Sequence, residues 1–217
     1  MIIITLGAPG AGKATIAKRL QKYFNFRIIA TGEMLRHEVY ENSELGKKVK
    51  DSIAKGHLVE DQIAIDLVEE AMKKKGDLIL EGFPRNLYQA EKLKQMLEDY
   101  GKTIDVVLHF NVDDKVIYER LSGRRICPEC DSIYHKKHLP PKQVGQCDYC
   151  NHTLEVREDD TLEVIKTKLG EYHKKTEPLI DYFSEQGTLY EVNANGSVLD
   201  MYYQVVESSV KFTTRSF

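Results

Sequence analysis

Five short apolar runs punctuate the chain, and longer stretches of amphipathic, helix-like patterning separate them. Ile2-Ile3-Ile4-Thr5-Leu6 comes first. Its β-branched, uninterrupted hydrophobicity predicts a strand buried on both faces. Four more strands are expected at Arg27–Ala30, Asp77–Glu81, Asp105–Asn111 and Thr188–Val192. Helices are expected over 14–23, 86–100 and from Asp113 onward, with another over 61–75 that ends in the lysine run 73–75 before Gly76. Thr31-Gly32 reads as the cap of a helix through Met34, Leu35 and Arg36. Residues 38–55 are polar and helical in character, broken at Gly46 and ended at Gly56. Arg157-Glu158-Asp159-Asp160 is expected to open one long helix that passes Tyr172 and Pro178 and reaches Gln186. Ser197-Val198-Leu199-Asp200 reads as a capping box for a last helix to about Lys211, and Thr213–Phe217, which carries no pattern, is expected to fray. Strands alternating with helices, joined by connections long enough for crossovers, predict an α/β fold with a parallel sheet covered on both faces.

Directly after the first strand stands Gly7-Ala8-Pro9-Gly10-Ala11-Gly12-Lys13-Ala14-Thr15. Strand, glycine-rich turn and helix start form the context of a phosphate-binding loop. Glycines let successive N–H groups point inward, the helix N-terminus adds partial positive charge, and Lys13 places an ammonium where β- and γ-phosphates would lie. An ordinary glycine turn with a surface lysine is the competing reading, but the lysine and both flanking elements agree on a nucleoside triphosphate site. Ala14 stands where the general motif has the serine or threonine that meets magnesium. Glu81, a carboxylate at the end of an apolar strand, is placed to meet magnesium directly or through water. His109, inside the fourth strand, reads as a packed core histidine.

Composition narrows the classes. At 217 residues, with 41% hydrophobic and 30% charged residues, the chain can bury a core without staples. No apolar run reaches the roughly 20 residues of a membrane span, and no secretory signal opens the chain, so a cytoplasmic protein is expected. A net charge of −3 without a large basic block argues against nucleic acid as main partner. All four cysteines, Cys127, Cys130, Cys147 and Cys150, fall in two Cys-x-x-Cys pairs with zinc-ribbon spacing. They are expected to close a structural, tetrahedral zinc site. A disulfide pairing would need an oxidising compartment.

The motifs together resemble the adenylate kinase family, in the bacterial form with a zinc-bearing lid. The resemblance rests on 7–15, Thr31-Gly32-Glu33-Met34-Leu35-Arg36, Gly56-His57-Leu58-Val59, Gly82-Phe83-Pro84-Arg85 with Gln89, Arg120 with Gly123-Arg124-Arg125, and Arg157 with Asp159-Asp160. It implies a phosphate-loop nucleotide kinase fold: a core over 1–30, 61–122 and 161–217, an AMP-binding flap over 31–60 and a zinc-ribbon lid over 123–160. It implies ATP on Gly10, Ala11, Gly12, Lys13, Ala14, Thr15, Arg120 and Arg124. AMP would lie on Thr31, Gly32, Arg36, Val59, Gly82, Arg85, Gln89 and Arg157. Lys13, Arg85, Arg124, Arg157 and Lys168 would meet the migrating phosphoryl group, and Glu33 and Glu81 would order the water shell of magnesium. The implied reaction makes two ADP from ATP and AMP, in a monomer whose partners are ATP, AMP and ADP.

Several positions depart from that pattern. Ala14 replaces a glycine, Ile16 a polar residue, Glu60 a proline, Glu33 and Glu81 aspartates, and Lys168 an arginine. The longer acids shift charge around a cation that is strict about octahedral geometry, and Lys168 lacks an arginine's fork. A slower phosphotransferase is the expectation. Transfer to UMP, CMP or GMP stays open as an alternative, as does a catalytically weak nucleotide-binding module. A zinc-ribbon nucleic-acid binder ranks last, because Glu129, Asp131 and Asp148 flank the basic residues of the ribbon.

Overall fold

A computed structural model describes residues 1–213. The expected strands form, with bounds shifted by a residue: β1 (Ile2–Gly7), β2 (Arg27–Ala30), β3 (Leu78–Glu81), β4 (Val106–Asn111) and, last in the chain, β7 (Leu189–Asn193). They make one sheet in the order β2-β3-β1-β4-β7, and every pairing is parallel. Central β1 is buried at every residue, as its unbroken apolar run requires.

Helices cover both faces. On one, Ile2, Ile4 and Leu6 meet α4 (Asp61–Met72), α5 (Leu87–Asp99) and α8 (Leu179–Glu185) through Val68, Leu93, Leu97 and Phe183. On the other, Ile3, Ile79 and Leu108 meet α1 (Lys13–Phe24) and α9 (Val198–Thr213) through Ile16, Leu20, Met201 and Val205. Alternation along β1 sends successive isoleucines to opposite faces. A third cluster joins Ala8 to α6 (Asp114–Gly123) and α7 (Leu162–Glu171) at the C-terminal edge of the sheet. From β1 the chain adds strands first on one side (β2, β3) and then on the other (β4, β7), and the carboxyl ends of the strands at such a switch point are where open α/β sheets bind ligands. No helix among the described residues is long and apolar enough to cross a membrane.

Two excursions leave this core. The first holds α2 (Thr31–Tyr40) and α3 (Glu44–Lys55). The second runs from Arg124 and carries β5 (Arg124–Ile126) and β6 (Ile133–His135), a small antiparallel pair that the apolar pattern did not predict. Three residues per strand are too few to print a period on the sequence.

Four other boundaries differ from expectation. Thr31 does not cap α2: Ala30 holds that position, and the Thr31 hydroxyl donates to Gly82 O (2.9 Å). The break in 38–55 falls between Tyr40 and Glu44, where Ser43 caps α3 by accepting from Gly46 N (2.9 Å). Gly46 lies inside α3 because the Glu38 carbonyl passes there; a Cβ at 46 would sit 2.0 Å from that oxygen. Helix α4 ends at Met72, so Lys73 is its C-cap and the lysine run follows the helix. The long helix expected from 157 is four pieces: a 3-10 turn at Glu158–Asp160, α7, a π-turn at Tyr172–Thr176, and α8. Thr161 starts α7 by capping Val164 N (3.3 Å), and Pro178 stands as N-cap of α8. The capping box is as expected: Asp200 N donates to Ser197 Oγ (3.2 Å) and Ser197 N to Asp200 Oδ2 (2.9 Å). The fraying expected for 213–217 lies, Thr213 apart, outside the described residues.

Candidate active site

The loop between β1 and α1 turns through Gly12, whose φ of 103° lies in the left-handed region that glycine adopts without a Cβ penalty. This turn delivers Lys13 as the first residue of α1. Its ammonium is buried and donates to Gly7 O and Ala8 O, both at 2.8 Å. Burial holds the Lys13 pKa down to about 8, with Glu81 pulling it up and Arg85 and Arg124 pushing it down. The loop lysine is thus a partly desolvated cation parked on its own loop carbonyls.

A cleft of about 690 Å³ opens above it, walled by the sheet edge, both excursions and α7. Every binding and catalytic residue expected from sequence lines this cleft except Ala11 and the cysteines. Ala11 is fully buried, and its carbonyl accepts from Arg120 Nη1 at 3.3 Å. Arg120 also donates to Gly196 O (2.9 Å), which fixes the guanidinium beside the start of α9.

Cations from separate segments converge here. Arg36 rises from α2, Arg85 follows β3, Arg124 opens β5, and Arg157 and Lys168 come from the far side. Arg85 is anchored by its Nε–H to Gly82 O (2.8 Å), and burial lowers its pKa. Arg157 is pushed down to about 10 by burial and by the charges of Arg36 and Arg124, and its buried Nε has no partner among the described residues. Arg124 is held bidentately by Asp160, and Lys168 donates to Asp159 Oδ2 and Asp159 O, each at 2.6 Å. Asp159 and Asp160 therefore act as counter-charges that keep two of the cations in place. Sequence reading quoted these acids as a motif but missed that role.

Gln89 is fixed at both ends of its amide: its Oε1 accepts from Arg85 N (2.7 Å) and its Nε2 donates to Asp61 Oδ1 (2.8 Å), which leaves one N–H free to give. Asp61 accepts from Asn86 Nδ2 as well, also at 2.8 Å. Asp61 was not singled out in the sequence; only its contact with two amides reveals it. Val59 and Gly82 complete the wall near Thr31. Of the two acids expected at magnesium, Glu81 ends β3 close enough to Lys13 to influence its charge. Glu33 lines the same cleft and sits 3.2 Å from the Lys18 ammonium.

In the second excursion the Sγ atoms of Cys127, Cys130, Cys147 and Cys150 all lie within 4.8 Å of one another. Three pairs measure 3.3, 3.5 and 3.7 Å. Tetrahedral thiolate coordination at about 2.3 Å implies sulfur–sulfur edges of about 3.8 Å, so the donor set fits zinc. The two knuckles are built alike: Asp131 N donates to Cys127 O (3.0 Å) and Asn151 N to Cys147 O (2.9 Å). Asp131 and Asn151 both take left-handed φ, at 54° and 58°. Apart from the cysteines, Tyr134 and Leu154 make up the module's apolar centre, so little else can order it.

A family model described as "Adenylate kinase" matches residues 5–188. A protein named adenylate kinase from Caldicellulosiruptor bescii is 44% identical over 211 residues, covering 96% of this chain and 98% of its own length. Another of that name from Thermosipho africanus is 42% identical, covering 89% of this chain and 92% of its own length, and one from Archaeoglobus fulgidus is 40% identical, covering 94% and 96%. With a parallel five-stranded sheet, a phosphate loop at its switch point and a basic cleft above, the chain belongs to the adenylate kinase family.

Proposed function

We propose that this protein transfers the γ-phosphoryl group of ATP to AMP, reversibly and with magnesium, giving two ADP. The observation that carries the reading is the convergence of Lys13, Arg36, Arg85, Arg124 and Arg157 on one cleft, with Arg157 Nε left without a partner. Such a gathering of partly buried positive charge suits two polyphosphates meeting end to end. Phosphoryl transfer asks a protein chiefly for alignment and charge neutralisation.

In this reading residues 31–60 are the AMP flap and 123–160 the lid, closing on the core formed by the rest. Lys13 leaves its loop carbonyls for the β- and γ-phosphates, while the N–H groups of 10–15 cradle the triphosphate. Arg120 supports the ATP adenine. Arg36 and Arg85 fork onto the AMP phosphate, and Arg124 and Arg157 hold the migrating group. Thr31, Gly32, Val59, Gly82 and Gln89 shape the AMP pocket. Magnesium, when bound with ATP, neutralises phosphate oxygens; Glu81, free of a cationic side-chain partner at hydrogen-bond distance, is the acid best placed for its water shell. Lys168, held by Asp159, supports the lid hinge. Zinc on the four cysteines stiffens the lid, so that closure moves a body and excludes water. As the family resemblance implies, the enzyme works as a cytoplasmic monomer.

The test is ADP formation from ATP and magnesium with AMP, UMP, CMP and GMP offered separately, on protein assayed for one zinc per chain. Turnover selective for AMP is expected. Preference for another acceptor overturns the AMP assignment, and binding of ATP without any turnover overturns the enzyme.

A further inference from the structure

Lys18 lies on α1, one turn beyond the loop lysine, and no phosphate contact was assigned to it. Its ammonium donates to Asp131 O at 2.7 Å and pairs with Glu33 Oε1 at 3.2 Å. Those partners belong to different bodies. Asp131 sits in the first cysteine knuckle, and Glu33 in the first turn of α2. One side chain of the core thus touches both excursions at once.

The contacts differ in kind. The Asp131 carbonyl is aimed by the knuckle, since that residue is held left-handed and its own N–H is tied to Cys127 O. Glu33 Oε1 is buried and accepts no hydrogen bond, so the nearby ammonium is its compensation. Were the lid to swing away, Lys18 would lose the carbonyl. Were the flap to swing away, Glu33 would lose its cation.

We propose that Lys18 is a positioning residue that couples the two closures, holding lid and flap over the cleft through Asp131 O and Glu33. It touches neither reacting atom. It acts by raising the share of molecules in which the phosphate-binding arginines of both excursions face each other. The inference rests on the flap and lid assignment above.

The test compares Lys18→Met, Lys18→Arg and Glu33→Gln with the unaltered enzyme, measuring KM for ATP and for AMP, kcat and the thermal midpoint. Lys18→Met is expected to raise both KM values by about threefold to tenfold, the worth of a partly exposed charged contact. Its kcat is expected to hold or rise, because opening grows easier. Lys18→Arg, which can still donate to a carbonyl and pair with a carboxylate, is expected to recover most of the loss. Glu33→Gln is expected to raise chiefly the KM for AMP. If Lys18→Met leaves both KM values unchanged, or moves only that for AMP, the two-body link is overturned. A uniform fall in kcat with a lowered thermal midpoint and no recovery by arginine also overturns it, marking a merely structural lysine. Failure of the unaltered enzyme to make ADP from ATP and AMP would instead remove the reading beneath the proposal.

Discussion

Asp160 grips Arg124 with both carboxylate oxygens, Oδ2 at 2.8 Å from Nε and Oδ1 at 2.6 Å from Nη2, and its side chain has no accessible surface. The pair joins the residue that opens β5 to the turn that returns the chain to α7. Its geometry is that of a fork meeting a carboxylate, the arrangement in which arginine surpasses lysine. Lys168 Nζ stands a further 3.5 Å from Asp160 Oδ1. Removing this negative charge would leave Arg124 and Lys168 crowded with Arg157. Asp160→Asn is therefore expected to cost about 3 kcal/mol in urea unfolding. A loss below about 1 kcal/mol would show that the lid hinge does not depend on the pair.

Lys13 carries the most consequential charge in the cleft, and its pKa of about 8 sets a pH window. A group whose pKa lies this far below the ordinary lysine value loses its proton as pH rises through 8, before the phosphates are bound. If only the ammonium form accepts ATP, affinity is expected to weaken about tenfold between pH 7 and pH 9. Calorimetric titration of ATP at the two pH values checks this. Lys13→Met should remove the pH dependence and lower kcat by about a hundredfold or more, while the fold stays intact. An unaltered pH slope in that variant would assign the titration to another group.

His109 sits in β4 almost out of solvent, with a buried Nδ1 that makes no hydrogen bond and Glu191 Oε2 at 3.9 Å. Burial lowers its pKa, outweighing the pull of Glu191 and Glu177, and Lys13 adds to the lowering. The folded state thus refuses a proton that the unfolded chain accepts below pH 6.5. Stability is expected to fall as pH drops through that value. His135 acts in the same direction, whereas His173, raised by Glu177 and Asp114, acts in the opposite one. Comparing thermal midpoints at about pH 7.5 and about pH 5.5, His109→Gln should show a smaller drop than the unaltered protein. Equal drops would rule His109 out as a source of acid lability.

Gly46 tests the packing of the flap. A Cβ there would stand 2.0 Å from Glu38 O and 2.4 Å from the carbonyl carbon, both backbone atoms that cannot step aside. Gly46→Ala is expected to lower stability by about 2 kcal/mol or more, despite alanine's better helix propensity. A stabilised variant in thermal melts would mean that the α2–α3 contact is looser than drawn.

The sheet was legible because its three central strands, β3, β1 and β4, are buried almost throughout and each carries its apolar signal within four to six residues, while the edge strands β2 and β7 keep shorter apolar runs. The phosphate loop was legible for a similar reason: its strand, turn and helix start are contiguous. What stayed hidden depends on meetings across the chain. Asp61 looks like an ordinary first-turn acid until Asn86 and Gln89 arrive from α5. The pairings of Lys18 with Glu33 and of Lys168 with Asp159 were hidden too, because an ammonium on a long stem takes whichever carboxylate the fold brings near. Thr31 has the chemistry of a helix cap, yet its hydroxyl serves Gly82 O, because β3 ends beside it. The break at Tyr172–Thr176 has no breaker within it; the π-turn becomes visible only in three dimensions.

The clamp between Arg124 and Asp160 also bears on how this chain could vary. The chain between them, residues 125–159, begins and ends at one point on the core, so its path is an excursion with its closure already made. Doubling the length of such a loop costs only about 0.6 kcal/mol in closure entropy. None of it shares a hydrogen-bond ladder with the five-stranded sheet. The stretch between the cysteine pairs is, in effect, a cassette: it can be lengthened, trimmed or exchanged, provided Arg124, Arg157, Asp159 and Asp160 at its mouth and the Asp131 carbonyl that meets Lys18 are kept.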